Sequence, residues 1–156
     1  MPDMHFLKRA IELSRKGMEK GQGGPFGCVV VKDGEIIGEG HNEVLKQNDP
    51  TAHAEIVAIR NACKKLNSFQ LADCDIYTSC EPCPMCMGAI YWARPKRVFF
   101  ANTKKDAAAI NFDDDFIYSE IEKLPQDRTI PFIHLPDDEA LAIFLEWKAN
   151  QDRQEY

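Results

Sequence analysis

The stretch Asp75-Ile76-Tyr77-Thr78-Ser79-Cys80-Glu81-Pro82-Cys83-Pro84-Met85-Cys86-Met87-Gly88-Ala89-Ile90-Tyr91-Trp92-Ala93-Arg94-Pro95-Lys96-Arg97-Val98-Phe99-Phe100-Ala101 decides the fold. Its first four residues read as a strand. A helix opens near Pro82, carries Met85, Ala89, Ile90 and Trp92, and stops at Arg94-Pro95, because proline cannot continue a helix and restricts the residue before it. Arg97 to Ala101 then reads as a second strand. Strand, helix, strand in about 27 residues predicts a parallel crossover and therefore an α/β layer.

Working upstream, Thr51 is placed to cap a helix over residues 52–66 with Ile56, Ile59, Ala62 and Cys63 on its buried stripe. Before it, Gly27-Cys28-Val29-Val30-Val31-Lys32 and Glu35-Ile36-Ile37-Gly38-Glu39 flank Asp33-Gly34, a two-residue link that predicts a hairpin. The sheet should therefore be mixed. Residues 3–20 place Phe6, Leu7, Ala10, Ile11, Ser14 and Met18 near a 3.6-residue repeat, which predicts an amphipathic helix ending at Gly21. Downstream, residues 104–109 read as a short helix and 111–116 as a loop. Ile130 to Leu135 reads as an edge strand, since Pro131 suits only an edge, and 137–148 as a last helix.

The chain has 156 residues, close to the roughly 150 of one domain. With no internal repeat and no linker-like composition, a single domain spanning 1–156 is expected. Hydrophobic residues make up 44% and charged residues 28%, an ordinary globular balance. Nineteen Lys and Arg against twenty-five Asp and Glu give a net charge of -6, the wrong sign for broad capture of a phosphate backbone. A nucleic-acid partner is disfavoured. No basic leader precedes an apolar run at the start, and no eighteen apolar residues stand together, so a cytoplasmic protein without a membrane partner is expected.

Six cysteines allow a disulfide framework, but an intracellular compartment would keep them reduced. Cys28, Cys63 and Cys74 read as small packing residues. Cys83-Pro84-Met85-Cys86 is different: a Cys-x-x-Cys pair converges on one zinc ion, in a structural or a catalytic site, or forms a redox pair. His53-Ala54-Glu55 decides between them. One imidazole and two thiolates leave a fourth zinc position open for water, and Glu55 is then free to move that water's proton. Cys80 either substitutes for one of the pair or faces the pocket beside the metal. His-x-Glu followed by Pro-Cys-x-x-Cys is the signature of zinc deaminases acting on nucleobases.

On these residues the chain resembles the cytidine deaminase-like superfamily, in its nucleobase-deaminating branch. The likeness runs through Gly23-Gly24-Pro25-Phe26-Gly27, Asn48 to Glu55, Tyr77 to Cys86, Gly88 to Arg94, Phe112-Asp113-Asp114 and Glu155-Tyr156. The last three stretches are most similar to the small bacterial guanine deaminases. The resemblance implies a three-layer α/β/α fold with a central mixed five-stranded sheet. It also implies one Zn2+ per chain on His53, Cys83 and Cys86, and Glu55 as proton shuttle. In such enzymes Asn42 and Asp114 would hold a purine base and Phe26 would pack on it. Trp92 and Tyr156 would reach the pocket from a second chain, in a homodimer with the C-terminal segment of about 136–156 exchanged. Which of Asp113, Asp114 and Asp115 faces the base stays open. The chemistry agrees: guanine offers donors at N1 and the 2-amino group and acceptors at N7 and O6, matching a carboxylate on one edge and an amide donor on the other. The activity implied is hydrolysis of guanine to xanthine and ammonia in purine catabolism or salvage. The same zinc motif serves tRNA adenosine and cytosine deaminases, and a closed structural zinc module would take Cys80 as its fourth ligand.

Overall fold

The computed structural model describes residues 2–156, which group into two compact units divided after residue 114. The first unit carries the sheet. Its elements run α1 (Met4–Glu19), β1 (Gly27–Lys32), β2 (Glu35–His41), α2 (Val44–Gln47), α3 (Ala54–Leu66), β3 (Asp75–Cys80), α4 (Pro84–Ala93), β4 (Arg97–Asn102) and α5 (Lys104–Ala109). The strands form one mixed sheet in the order β2-β1-β3-β4. β1 pairs antiparallel with β2 and with β3, while β3 and β4 run parallel across the α4 crossover. Asp33 and Gly34 both take positive φ, 51° and 81°, the backbone that a two-residue hairpin turn requires and that Asp-Gly tolerates.

Period-two alternation along the strands sorts the core into two layers. Cys28 and Val30 of β1, Ile37 of β2 and Ile76 of β3 pack with Ala54, Ala58 and Ala62 of α3 and Ile90 and Ala93 of α4. Val29 and Val31 of β1 and Tyr77 of β3 pack on the other side with Phe6 and Leu13 of α1. The result is helix, sheet, helix in three layers. α3 lies unusually near β2, since a Cβ on Gly40 would stand 2.4 Å from the Ala54 carbonyl and one on Gly38 2.5 Å from that of Ala58. Only small residues fit both sides of that contact.

Several expectations are corrected. The sheet of the described residues has four strands rather than five. Residues 131–137 form no regular structure and are exposed, and Pro131 lacks the N–H that a ladder needs. Thr51 does not cap α3; its N–H and hydroxyl both donate to Asp49, and His53 occupies the cap position. The fully buried stripe of α3 is Ala54, Glu55, Ala58 and Ala62, since the close approach of β2 selects small side chains there, while Ile56, Ile59 and Cys63 are half-buried, with Ile59 and Cys63 packed against the core. On α1 the buried stripe is Phe6, Ala10, Leu13 and Gly17, leaving Ile11 and Met18 exposed.

The second unit contains α6 (Asp115–Glu122), a 3-10 turn (Pro125–Asp127) and α7 (Asp138–Ala149). α6 begins inside the stretch read as a loop. Asp137 caps α7, accepting from the N–H groups of Glu139 and Ala140. No residue of this unit is buried, and Phe116, Phe132, Ile133, Leu135, Phe144 and Trp147 are all exposed. Among the described residues no helix is long and apolar enough to cross a membrane.

Candidate active site

Two helix starts build the site. His53 stands at the N-cap of α3 with extended backbone, φ -69° and ψ 157°, and Cys83 stands at the N-cap of α4 with φ -67° and ψ 169°. That extended residue takes His53 out of the helical progression, so His53 and Glu55 reach one place although two residues apart on an ideal helix diverge by about 200°. Pro84 at the first helical position fixes α4's entry, and Cys86, one turn in, donates its N–H to Cys83 Sγ at 3.5 Å.

His53 Nδ1 lies 3.4 Å from Cys83 Sγ and 3.5 Å from Cys86 Sγ, and the three ligand atoms all lie within 4.8 Å of one another. Zn–N and Zn–S bonds of about 2.0 and 2.3 Å in a tetrahedron give N···S edges of about 3.5 Å, so the three donors fit zinc. The three donors also share protons among themselves. The hydrogen bond from Cys86, with help from His53, lowers the Cys83 thiol to about 4. The same bond pushes Cys86 up, and contact with Cys83 raises His53. Zinc takes thiolates and a neutral imidazole, so a metal bound here would displace the protons that Cys86 and His53 hold.

Glu55, in the first turn of α3, is 5% exposed, and burial raises its carboxyl above the ordinary range. Its Oε2 accepts from Cys86 Sγ at 3.4 Å and its Oε1 from the Thr78 hydroxyl at 3.2 Å. The carboxyl is therefore buried beside the ligand atoms without being one of them.

The pocket in front of this cluster is lined by Phe26, Asn42, His53, Glu55, Cys83 and Asp114, together with Cys80, Glu81, Ala107 and Phe112. Asn42 is 5% exposed, and its Oδ1 accepts the N–H of Val44 at 3.1 Å, which leaves the amide N–H groups as donors. Gly23 must be glycine here, since a Cβ would stand 2.1 Å from Asn42 Oδ1. Phe26 meets Phe112 edge to face at 4.9 Å. Of the three neighbouring aspartates Asp114 lines the pocket, whereas Asp113 and Asp115 are exposed. Cys80 lies on the wall: its thiol donates to the Thr103 carbonyl at 3.7 Å, and burial raises it to about 11, so it is a neutral thiol outside the three-atom cluster.

Trp92 lies on α4, 64% exposed and outside this lining; Tyr156 belongs to the second unit and is 67% exposed. Phe112 and Thr78 had no role read for them in the sequence. An aromatic two residues before Asp114 was the signal for Phe112. Thr78 had none beyond its place in a strand.

Residues 1–102 match the family described as cytidine and deoxycytidylate deaminase zinc-binding region. The chain is 58% identical over 151 residues to the guanine deaminase of Bacillus subtilis (strain 168), covering 97% of both chains. A crystal structure of guanine deaminase from Bacillus subtilis matches with a TM-score of 0.96 at 57% identity, over 100% of this chain and 99% of that one. The tRNA-specific adenosine deaminase of Aquifex aeolicus is 35% identical over 92% of this chain and 91% of its own.

Proposed function

Because the chain belongs to the cytidine and deoxycytidylate deaminase zinc-binding family, and is 58% identical to a guanine deaminase over 97% of both chains, we propose that it hydrolyses guanine to xanthine and ammonia. The observation that carries this reading is one pocket set against a His-Cys-Cys cluster and a buried carboxyl, with Asn42 and Asp114, an amide and a carboxyl, among its other lining residues. His53, Cys83 and Cys86 would hold one zinc ion, which would supply a water molecule acidic enough to lose a proton near neutral pH.

Glu55 accepts that proton and delivers it to the ring nitrogen beside C2 as the water oxygen adds to C2. A second transfer, in which Asp114 takes part, carries the proton of the new C2 hydroxyl to the 2-amino group; ammonia leaves and the C2 carbonyl of xanthine forms. Asn42 donates its amide hydrogens to an acceptor edge of the base, and Asp114 accepts from N1–H and the amino group. Phe26 packs on the ring. Adenine and cytosine present a bare ring-nitrogen acceptor beside their amino group, which a carboxylate repels, and such unpaired polar groups reject a substrate by about 10⁴-fold. The acidic balance of the chain favours a free base over tRNA.

Met87, Tyr91 and Phe100 line an exposed groove between α4 and β4, and Trp92 is exposed nearby on α4. A patch of this kind suits contact with a second copy. A cytoplasmic homodimer of single-domain chains, with residues of about 136–156 exchanged, would cover it and bring the second copy's Trp92 and Tyr156 to the pocket.

Purified protein given guanine, adenine, cytosine, cytidine and tRNA in parallel, with ammonia measured, should release it from guanine. Silence on guanine with turnover of another substrate overturns the assignment. Sedimentation should give the mass of two chains.

A further inference from the structure

We propose that Thr78 is a positioning residue for Glu55: its hydroxyl tethers one carboxyl oxygen in the interior so that the other stays turned to the ligand cluster. The inference rests on the reading of Glu55 as the proton carrier. Thr78 lies in β3 on the face that α3 covers and is 0% exposed. Its Oγ1 stands 3.2 Å from Glu55 Oε1, while Glu55 Oε2 stands 3.4 Å from Cys86 Sγ. The two oxygens therefore have separate partners, one on the sheet and one among the metal-ligating residues.

A glutamate has three side-chain torsions, the last of them broad, so burial alone does not fix which oxygen faces the chemistry. A hydrogen bond to one oxygen does. The Thr78 hydroxyl also has a second acceptor in reach, the Gly27 carbonyl at 3.4 Å, and Gly27 is held in place through its N–H, which donates to Ser79 Oγ at 3.0 Å. A hydroxyl carries one hydrogen and two lone pairs. With both Glu55 and Gly27 in reach, the hydroxyl is itself anchored on the sheet, and one neutral side chain fixes the Glu55 carboxyl without adding charge beside it.

Thr78→Val keeps the shape and removes the hydroxyl; Thr78→Ser keeps the hydroxyl and removes the methyl. With guanine, Thr78→Val should retain about one zinc per chain and a KM within about two-fold, while kcat falls about 10- to 100-fold, the range for a misplaced catalytic group. Thr78→Ser should recover kcat to within about three-fold of the original chain. Should Thr78→Val not fold, Thr78→Ala carries the same comparison. Independently of turnover, thermal melts of the zinc-free protein across Thr78→Val, Glu55→Leu and the double variant should show non-additive Tm shifts, as expected of groups in contact. Unchanged kcat in Thr78→Val, equal losses in Thr78→Ser and Thr78→Val, or additive Tm shifts would each overturn the proposal. If the unaltered chain does not act on guanine, the functional reading fails while the melts still decide the tether.

Discussion

The two faces of the central sheet are built from the same strands yet differ in what they bury. Toward α1 the layer is sealed by Val29, Val31, Leu13 and the aromatic rings of Phe6 and Tyr77, with Phe99 stacked on Tyr77 at 4.7 Å. Its polar connections lie at the rim, where the N–H of Asp3 donates to the Tyr77 hydroxyl and Arg9 grips Glu39 with bonds of 2.7 and 2.9 Å. Toward α3 and α4 the layer buries a carboxyl, Glu55, against a hydroxyl, Thr78, next to two thiols and an imidazole. Buried polar groups are costly unless paired, and on this face each is paired. Alternation along β3 separates the roles: Tyr77 faces the stabilising layer and Thr78 the reactive one. A fold can thus keep chemistry on one side while the other supplies cohesion.

That division makes changes on the two faces separable. The largest effect is expected from Glu55→Gln, which should lower kcat about 10⁴-fold while zinc content and Tm change little; kinetics with metal analysis check it, and retained activity would remove the carboxyl's role. Next, Phe6→Ala on the opposite face should cost about 3 kcal/mol of stability, read from denaturant melts, with kcat of the folded fraction unchanged. A fall in kcat would break the separation. Asp114→Ala should lower kcat/KM for guanine about 100-fold without loss of zinc, since it removes a recognising group and not a ligand. An unchanged ratio would return Asp114 to the solvated surface.

The smallest effect should come from Glu39→Gln at the rim. Arg9 holds the Glu39 carboxyl below its ordinary 4.5, chiefly by their hydrogen bond. A depressed folded value means that the contribution is present above the unfolded value and lost as pH falls through the folded one. The pair is largely solvent-screened, so Glu39→Gln should cost about 0.5 kcal/mol at neutral pH. Melts at pH 7 and in acid should show that difference closing.

Local chemistry made much of this readable before any coordinates. Pro84 and the Arg94-Pro95 stop delimit α4, Asp33-Gly34 allows one kind of hairpin, and the spacing of His53, Glu55, Cys83 and Cys86 is a feature of two helix starts. Elements whose fate depends on a partner were not readable. Ile130 to Leu135 has the composition of a strand but no ladder, and Ile56 and Ile59 look like full core, yet β2 approaches so closely that alanines take the centre and both isoleucines stay half-buried, Ile59 packing on the core from its edge.

The sequence by itself determined the α/β class, the ligand triplet with its neighbouring carboxyl, and the acidic charge, because short-range spacing and covalent chemistry set all three. Tertiary structure alone decided that Asp114 rather than its neighbours lines the pocket, that Cys80 lies on its wall outside the three-atom cluster, that Phe112 meets Phe26, and that the Thr78 hydroxyl donates to Glu55. Each of these joins residues at least 23 positions apart. Which side chains meet across such a distance is set by sheet register and helix approach, and no local pattern encodes either.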